Sequence, residues 1–389
     1  MHPTANQPPL LLLNGLPLGI NHGILVYTQR LLEALARHHP EVTIRILLTE
    51  DRLELAAGLP PKSIITVPCR APFRRQFLAD LWRQHQIVRY AARHGGDAIF
   101  VSTHEVWSPA RPKNSVVVIH DAIYERYPKF SSHTYFPRRF FRRLCIHWII
   151  RSGRVFTCTS DSARDLELLA GIPHSVLRIV HPWIDRRFEA PPPSTAKVAE
   201  LRARLGLPEK YLLYLSGFRL NKNVELLLRT YAAGAASHNW PPLVIAGGLP
   251  PHPAQVLSTD VPALMKELGI PPGRVVLAGH ITDADLPAIY AGASLFVFPS
   301  RFEGFGYTPI EALAMGIPVI AARASSLPEV LGPRICCFDP DRGDQLTAAI
   351  NEALQHPDDF RRALDPYYTE KAGINRWLAA VTDHPPAAA

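Results

Sequence analysis

The sequence predicts an α/β fold of two Rossmann-like, doubly wound parallel-sheet domains that face each other across a cleft. Short apolar runs alternate with helical patterns along almost the whole chain, which is typical of doubly wound parallel sheets. The length of 389 residues favours two domains over one. A proline-rich stretch, residues 190–195, interrupts the alternation and resists both helix and sheet. A ligand is therefore expected in the cleft, at the carboxyl ends of the strands.

Apolar runs place the strands, and helical periodicity at residues 26–36, 224–232, 284–291 and 367–381 places helices between and after them. In the first half, the predicted strands are residues 10–13, 43–48, 64–67, 98–101, 116–119 and 155–157. In the second half they are residues 211–215, 243–246, 274–277, 295–298 and 318–321, and a buried strand that contains Cys336 and Cys337.

These elements divide the chain into three predicted parts. Residues 1–190 form an N-terminal Rossmann-like domain, and residues 191–366 form a second domain of the same kind. Residues 367–389 form a C-terminal helix and tail, and the helix is expected to pack back on the N-terminal domain.

The composition limits the classes of function. Hydrophobic residues make up 47% and charged residues 20%, enough for two packed cores in a soluble chain. No run of eighteen apolar residues occurs, so a membrane-spanning helix is not predicted. The number of cysteines, five, is odd, and no pair has C-x-x-C spacing, which argues against a disulfide framework and against zinc and favours a reducing cytoplasm. The net charge of +8 attracts phosphate groups of nucleotides, nucleic acids or anionic lipids alike.

The segment FPSRFEGFGYTPIE, residues 298–311, carries the strongest chemical pattern. A strand is predicted to end at Phe298, and a loop with two glycines follows. A helix is predicted to begin with Thr308 as its N-cap and Pro309 at the first helical position. Glu311, three residues after the cap, is also explained by a capping box without any ligand.

A diphosphate suits this geometry. The backbone N–H groups of residues 305–308 would lie at a helix N-terminus, which favours an anion. Gly304 and Gly306 would let a ligand approach the backbone. The carboxylates of Glu303 and Glu311 would accept hydrogen bonds from sugar and ribose hydroxyls. A capping box does not explain Glu303, so we favour a ligand site.

The segment resembles the core of the retaining GT-B glycosyltransferases of family 4, whose E-x7-E motif is met by Glu303 and Glu311. The resemblance runs from about Gly15 to Glu329. It implies a GT-B fold and transfer of a hexose, with mannose as one candidate, from a nucleoside diphosphate donor. In the family the first glutamate binds donor sugar hydroxyls, the loop amides bind sugar and diphosphate, and the second glutamate binds ribose. The implied donor-binding residues are Glu303, Gly304, Phe305, Gly306, Tyr307, Thr308 and Glu311.

The string SGFRLNKN, residues 216–223, lies between a predicted strand and a predicted helix. Lys222 and Arg219 there would neutralise a departing diphosphate, although a lysine near a helix start is more often simply solvated. The string resembles the family's G-x-x-x-x-K-N phosphate-binding segment, which implies donor binding by Gly217, Arg219 and Lys222. Many members of the family have an arginine where Gly217 stands, and Arg219 is the candidate replacement.

His120 and Asp121 follow the predicted strand at residues 116–119, whose end is expected at the cleft. A lone histidine is more often structural than catalytic. The family has a similar His-Asp pair, in which the histidine contacts the transferred sugar. The resemblance therefore implies that His120 is catalytic together with Glu303 and Lys222, and that Asp121 is an orienting or acceptor-side partner.

Gly19 and Gly23 lie between the first predicted strand and the first helix, and resemble an acceptor-side glycine loop of the family. Val26 stands where that loop often has an arginine, and an ordinary strand–helix turn explains the two glycines equally well. The string ASSLPE, residues 324–329, resembles a family segment near the nucleotide. Glu329 is equally explained as an acid in the first turn of a helix.

No H-E-x-x-H or C-x-x-C spacing is present, so neither a metal nor a cofactor is predicted besides the donor, for which GDP-mannose is one candidate. The family is thought to react by front-face attack with retention. Two other readings stay open: a GT-B sugar-nucleotide epimerase or phosphorylase, and a basic nucleic-acid-binding protein. The epimerase or phosphorylase reading is disfavoured by the E-x7-E motif. For the nucleic-acid-binding reading, the sequence lacks a recognisable nucleic-acid-binding motif, so no nucleic-acid partner is predicted.

A basic amphipathic helix is predicted at residues 135–150, with an apolar side and a cluster of arginines. Such helices lie on anionic membranes, although packing of the apolar side on the first domain explains it as well. A membrane contact would suit a glycan or lipid-linked acceptor in the assembly of surface polysaccharide such as lipopolysaccharide. The predicted location is the cytoplasm, as a peripheral protein on the inner face of the cell membrane. The arginines are Arg138, Arg139, Arg142 and Arg143.

Overall fold

The computed structural model contains two sheets and describes residues 8–19, 22–59, 63–106, 108–110, 112–127, 153–248 and 257–383. All strand pairs within these ranges are parallel. Helices connect most consecutive strands, as parallel pairing requires. The predicted α/β class, with two doubly wound parallel sheets, is confirmed.

The first sheet has seven strands in the order β3-β2-β1-β4-β5-β6-β7. They are Leu10–Asn14 (β1), Thr43–Thr49 (β2), Ile64–Val67 (β3), Ile99–Ser102 (β4), Ser115–Val118 (β5), Arg154–Thr157 (β6) and Leu177–Ile179 (β7). The direction of winding changes between β1 and β4, where Leu11 lies opposite Ile99. Ligands of such sheets bind at that switch point. Strand β7 was not predicted, because Arg178 interrupts its apolar residues and leaves no apolar run.

The second sheet has six strands in the order β10-β9-β8-β11-β12-β13, with its switch point between β8 and β11. They are Leu212–Leu215 (β8), Leu243–Ala246 (β9), Val275–Gly279 (β10), Leu295–Phe298 (β11), Val319–Ala322 (β12) and Cys336–Phe338 (β13). Cys336 is fully buried in β13, as its apolar neighbours predict.

Twelve α-helices lie within the described residues. They are His22–His38 (α1), Gln76–His94 (α2), Ile123–Arg126 (α3), Ser160–Ala170 (α4), Thr195–Leu205 (α5), Val224–Gly234 (α6), Val261–Glu267 (α7), Leu286–Ala291 (α8), Tyr307–Ala314 (α9), Leu327–Leu331 (α10), Gly343–Gln355 (α11) and Glu370–Thr382 (α12). Short 3-10 turns are Leu16–Gly19, Glu50–Ala56, His174–Val176, Arg186–Phe188, Leu220–Lys222, Pro357–Phe360 and Pro366–Tyr368.

The last helix, α12, contributes to the core of the first sheet. Its residues Ile374, Trp377 and Val381 are fully buried in one apolar cluster with Leu31 and Leu35 of α1. Apolar burial on this scale is the main stabilising contribution to packing. The chain therefore returns to the first sheet after it has formed the second. The boundaries at residues 190 and 366 stay predictions.

None of the helices in the described ranges has both the length and the apolar character needed to cross a bilayer. The arginine-rich segment at residues 135–150 lies outside the described residues.

Candidate active site

Two loops of the second sheet are tied together where β8 and β11 end. The side-chain amide of Asn221 donates to the Phe302 carbonyl (3.1 Å), and the Ser300 hydroxyl donates to the Asn221 carbonyl (3.0 Å). Both Asn221 and Ser300 are buried. Buried hydrogen bonds of this kind hold the loop at residues 216–223 against the loop at residues 299–306.

Lys222 and Glu303 meet as a consequence. The Lys222 ammonium Nζ lies 2.7 Å from Oε1 and 2.8 Å from Oε2 of Glu303. The side chains are 23% and 11% exposed, so water reaches the pair from one side. A carboxylate and an ammonium thus stand side by side at the carboxyl edge of the sheet, where a sugar and a phosphate would each find a partner.

Helix α9 begins differently from the prediction. It starts at Tyr307, and its N-cap is Gly306 with φ 91°, a left-handed conformation that favours glycine. The prediction of Thr308 as N-cap, with Pro309 at the first helical position, is therefore wrong. A Cβ at Gly306 would also lie 2.7 Å from Cδ2 of Leu327, so this turn needs glycine for space as well as for φ.

The backbone N–H groups at this helix start are unused. Among the described residues, no hydrogen bond has the N–H of Phe305, Gly306, Tyr307 or Thr308 as its donor. The first N–H groups of a helix have no partner within the helix. They remain available to an anion at the start of α9.

Glu311 does not complete a capping box. Its carboxylate is buried, and it accepts a hydrogen bond from Arg30 Nη2 of α1 (3.1 Å) and another from the Tyr290 hydroxyl (3.2 Å). Arg30 belongs to the first domain and Tyr290 to the second. The second glutamate of the motif therefore lies at a contact between the two domains.

His120 is held at the end of β5. Its Nε2 lies 2.9 Å from the Thr103 carbonyl, its Nδ1 lies 3.5 Å from Sγ of Cys158, and the Tyr27 ring packs edge-on against it. Burial lowers the pKa of His120, although the Thr103 carbonyl and the Asp121 carboxylate act in the opposite direction. The ring is therefore neutral at pH 7, with Nε2–H donating to Thr103.

Gly304 brings the two domains together. A Cβ at this position would lie 2.9 Å from the His120 carbonyl oxygen and 3.2 Å from Cβ of Asp121. The Thr159 hydroxyl, which follows β6, donates to the Gly304 carbonyl (3.0 Å). The His-Asp pair of the first domain and the glycine loop of the second are thus in direct contact.

Glu329 of α10 makes a further contact between the domains. Its carboxylate accepts from the backbone N–H groups of Ser160 (2.9 Å) and Asp161 (3.3 Å) at the start of α4, and lies 2.9 Å from Nε2 of His181. Burial would raise the pKa of Glu329, but the hydrogen bonds from His181 and Ser160 lower it. The carboxylate stays ionised and bound to the N-terminus of α4.

In the described part of the chain, the other predicted site residues make no hydrogen bond or ion pair with Glu303 or His120. Gly217 follows β8, and its carbonyl accepts from the Tyr214 hydroxyl (2.8 Å). Arg219 pairs through its backbone with Ser258. Among the described residues, no hydrogen bond or ion pair joins the Arg219, Gly19 or Gly23 positions to Glu303 or His120.

Arg30, Thr159 and Cys158 lie at the site but were not predicted from the sequence. For Arg30 a signal existed: it is a charged residue within the apolar stripe of α1, between the buried residues Tyr27 and Leu31. For Thr159 and Cys158 the position after an apolar strand was the only signal. In the described ranges, no cluster of three or more His, Cys, Asp or Glu side chains could hold a metal ion.

Two sequence families match the chain. Residues 22–188 match the family described as Glycosyltransferase Family 4, and residues 198–371 match Glycosyl transferases group 1. Among solved structures, sucrose-phosphate synthase from Thermosynechococcus elongatus superposes with a TM-score of 0.65 at 19% identity, over 96% of this chain and 94% of that one. At this identity the superposition supports the fold alone.

Two curated relatives come from Escherichia coli. The serotype-specific mannosyltransferase WbdA is 26% identical over 247 residues, which is 62% of this chain and 29% of WbdA. O-antigen chain mannosyltransferase B is 29% identical over 251 residues, which is 64% of this chain and 63% of that protein. The matched region is thus less than two thirds of either relative. The two family matches together span most of residues 22–371 and show that the chain belongs to the GT-B glycosyltransferases of family 4.

Proposed function

We propose that the chain transfers a hexose from a nucleoside diphosphate sugar to a glycan or lipid-linked acceptor during assembly of a surface polysaccharide, with retention at the anomeric carbon. The observation that carries this proposal is the arrangement around Gly304. Glu303 precedes Gly304 in the loop and pairs with Lys222, the free N–H groups at the start of α9 follow it, and the His120 carbonyl lies against it. Mannose from GDP-mannose is the first donor to test, because both E. coli relatives are mannosyltransferases.

The diphosphate leaves from a positive site in this proposal. Lys222 and the N–H groups of residues 305–308 stabilise the negative charge that develops on the leaving phosphate, and Arg219 adds a second cation nearby. These groups supply positive charge at the place where many enzymes use a metal ion. When the phosphate pairs with the Lys222 ammonium, the Lys222–Glu303 ion pair opens, and the Glu303 carboxylate becomes free to bind the donor sugar.

In this proposal the donor sugar is held by the Glu303 carboxylate and by His120 of the first domain. Glu303 accepts hydrogen bonds from sugar hydroxyls, which positions the anomeric carbon. His120 is the proposed contact of the transferred sugar in the first domain: its ring is fixed by Thr103, and its backbone lies against Gly304 of the donor loop. Asp121, Gly19 and Gly23 lie on the acceptor side.

The acceptor is proposed to be bound at a membrane surface. The arginine cluster at residues 138–143 would attract anionic lipids on the cytoplasmic face of the membrane, at about 1 kcal/mol for each arginine near the surface.

A panel of nucleoside diphosphate sugars tests the donor. Specific binding raises the melting temperature by mass action, and we expect the largest rise with GDP-mannose. Donors that bind are then incubated with EDTA and lipid-linked glycan acceptors, and the products are analysed by mass spectrometry. A protein that binds no member of the panel would contradict the proposal. Activity that depends strictly on added magnesium or manganese would contradict its metal-free part.

A further inference from the structure

One side chain of the first domain reaches two predicted donor residues of the second. Arg30 lies in α1, and its Nη2 donates to Oε1 of Glu311 (3.1 Å). The guanidinium carbon also lies 5.0 Å from the centre of the Tyr307 ring. The side chains of Arg30 and Glu311 are 15% and 5% exposed, so the ion pair is largely shielded from water.

The hydrogen-bonding capacity around Glu311 is incompletely used. Arg30 occupies Oε1, and the Tyr290 hydroxyl occupies Oε2 at 3.2 Å. An ionised carboxylate has about four acceptor positions, so each oxygen can accept one more hydrogen bond. Arg30 Nη1 is buried and has no hydrogen-bond partner among the described residues. Buried donors are almost always satisfied, so an oxygen acceptor belongs beside Nη1.

We propose that Arg30 is a positioning residue for the ribose of the donor nucleotide, an inference that rests on the proposed function. A vicinal diol fits the unused positions: its hydroxyls donate to the two oxygens of Glu311, and one of them accepts from Arg30 Nη1. Because Arg30 and Glu311 belong to different domains, ribose bound between them also joins the two domains. The nucleotide is then held by both halves of the cleft.

A second ion pair on the same helix provides a matched control. Arg37, also in α1, pairs with the buried carboxylate of Glu370 at the start of α12. This pair joins two helices of the first sheet and lies away from the motif at residues 303–311. Arg37→Met therefore removes an arginine–glutamate pair from α1 without touching the proposed ribose site.

The test is the preference for ribose over 2′-deoxyribose. Dissociation constants of GDP, UDP and their 2′-deoxy forms are measured by calorimetry with wild type, Arg30→Met and Arg37→Met. We expect wild type to prefer the ribose form by about tenfold or more, the scale of a hydrogen bond to a charged group. Arg30→Met should lose most of this preference, and Arg37→Met should keep it.

Several outcomes would overturn the inference. It is wrong if Arg30→Met keeps the wild-type preference, or if wild type binds ribose and deoxyribose forms equally. A wild type that binds neither GDP nor UDP would overturn the proposed function as well. If Arg30→Met does not fold, Arg30→Lys replaces it: lysine keeps the charge for Glu311 but lacks the second nitrogen. Full ribose preference in Arg30→Lys would then contradict the proposal.

Discussion

At the scale of single residues, the Lys222–Glu303 pair couples two loops that are 81 positions apart in the chain. Neither residue is fully buried, so the pair can open without leaving a charge isolated from water. A donor would replace each half of the pair with a new partner, phosphate for Lys222 and hydroxyl for Glu303. Substitutions of the two residues should therefore have different effects.

Glu303→Gln is expected to lower kcat by roughly 100-fold or more, because glutamine keeps the size of the side chain but loses the charge that positions the sugar. The change in kcat is measured from initial rates with the best donor, and circular dichroism monitors the fold. Glu225→Gln is the control, since the Glu225 side chain is half-exposed on α6 and pairs with Arg229 on the surface of the same helix. A near-wild-type kcat in Glu303→Gln would remove Glu303 from the site.

Lys222→Ala is expected to weaken binding of GDP or UDP by roughly 10- to 100-fold, the scale of a hydrogen bond between charged groups. Calorimetric titration measures the change. Lys210→Ala is the matched control: Lys210 is exposed and precedes β8, at the opposite end of the strand that Lys222 follows. Equal affinities in wild type and Lys222→Ala would exclude contact with the diphosphate.

His120 should make stability depend on pH. Its pKa is lowered in the folded protein, so the unfolded chain binds a proton more readily below the ordinary value of about 6.5. The stability contribution is therefore full above that value and is lost as the pH falls from it through the lower pKa of the folded protein. We expect Tm to fall less in His120→Gln than in wild type between about pH 7.5 and about pH 5.5. His356→Gln, at an exposed position, is the control, and equal falls in wild type and His120→Gln would contradict this.

At the scale of elements, the strand ends and the start of α9 decide where the chemistry lies. Apolar runs predicted the strands well, because buried parallel strands are nearly continuous in apolar residues. The predicted start of α9 was wrong. The Thr308-Pro309 pair matched the usual capping pattern, and the sequence alone did not show that Gly306 adopts a positive φ. The left-handed glycine turns the loop so that the amides before Thr308 remain free.

Gly306→Ala tests this turn. An L-residue in the left-handed region costs about 1–2 kcal/mol, and the new Cβ would also meet Leu327. Gly316→Ala is the control, because Gly316 has a positive φ of 74° with open space around it. We expect Tm to fall in both variants, but more in Gly306→Ala, and nucleotide affinity to fall in Gly306→Ala alone. Unchanged affinity there would contradict a phosphate site at the start of α9.

Side-chain contacts between elements that are distant in the chain could not be predicted from the sequence. The motif predicted that Glu303 and Lys222 serve one ligand, but their direct contact depends on how Asn221 and Ser300 tie two loops. Arg30 and Glu311 are 281 positions apart, and only the assembled domains bring them together. Family resemblance supplied roles for single residues, whereas partners depend on three-dimensional packing.

At the scale of the whole molecule, contacts between the domains surround the glycine loop. Gly304 lies against His120, Glu311 pairs with Arg30, and Glu329 binds the N-terminus of α4. Polar contacts of this kind let two domains separate and close again more easily than a continuous apolar interface would. A donor that adds hydrogen bonds across the cleft would favour the closed arrangement.

Membrane association is also a property of the whole molecule. Arg142→Glu/Arg143→Glu should reduce sedimentation with anionic liposomes at low salt, because each arginine near such a surface contributes about 1 kcal/mol. Arg342→Glu/Arg361→Glu, in the second domain, makes the same change in net charge at exposed positions and is the control. Wild type that stays in the supernatant would contradict the membrane proposal and leave the transfer reaction untouched.

The return of α12 to the first sheet has a consequence for biosynthesis. Trp377 and Ile374 complete a core whose other members include Leu31 of α1. A ribosome must therefore translate the whole second domain before the first can close its apolar surface. The nascent first domain would carry an uncovered apolar patch during that interval, which invites chaperone binding or aggregation. The second domain, by contrast, has its sheet and most of its core from consecutive chain, and can fold as soon as it emerges.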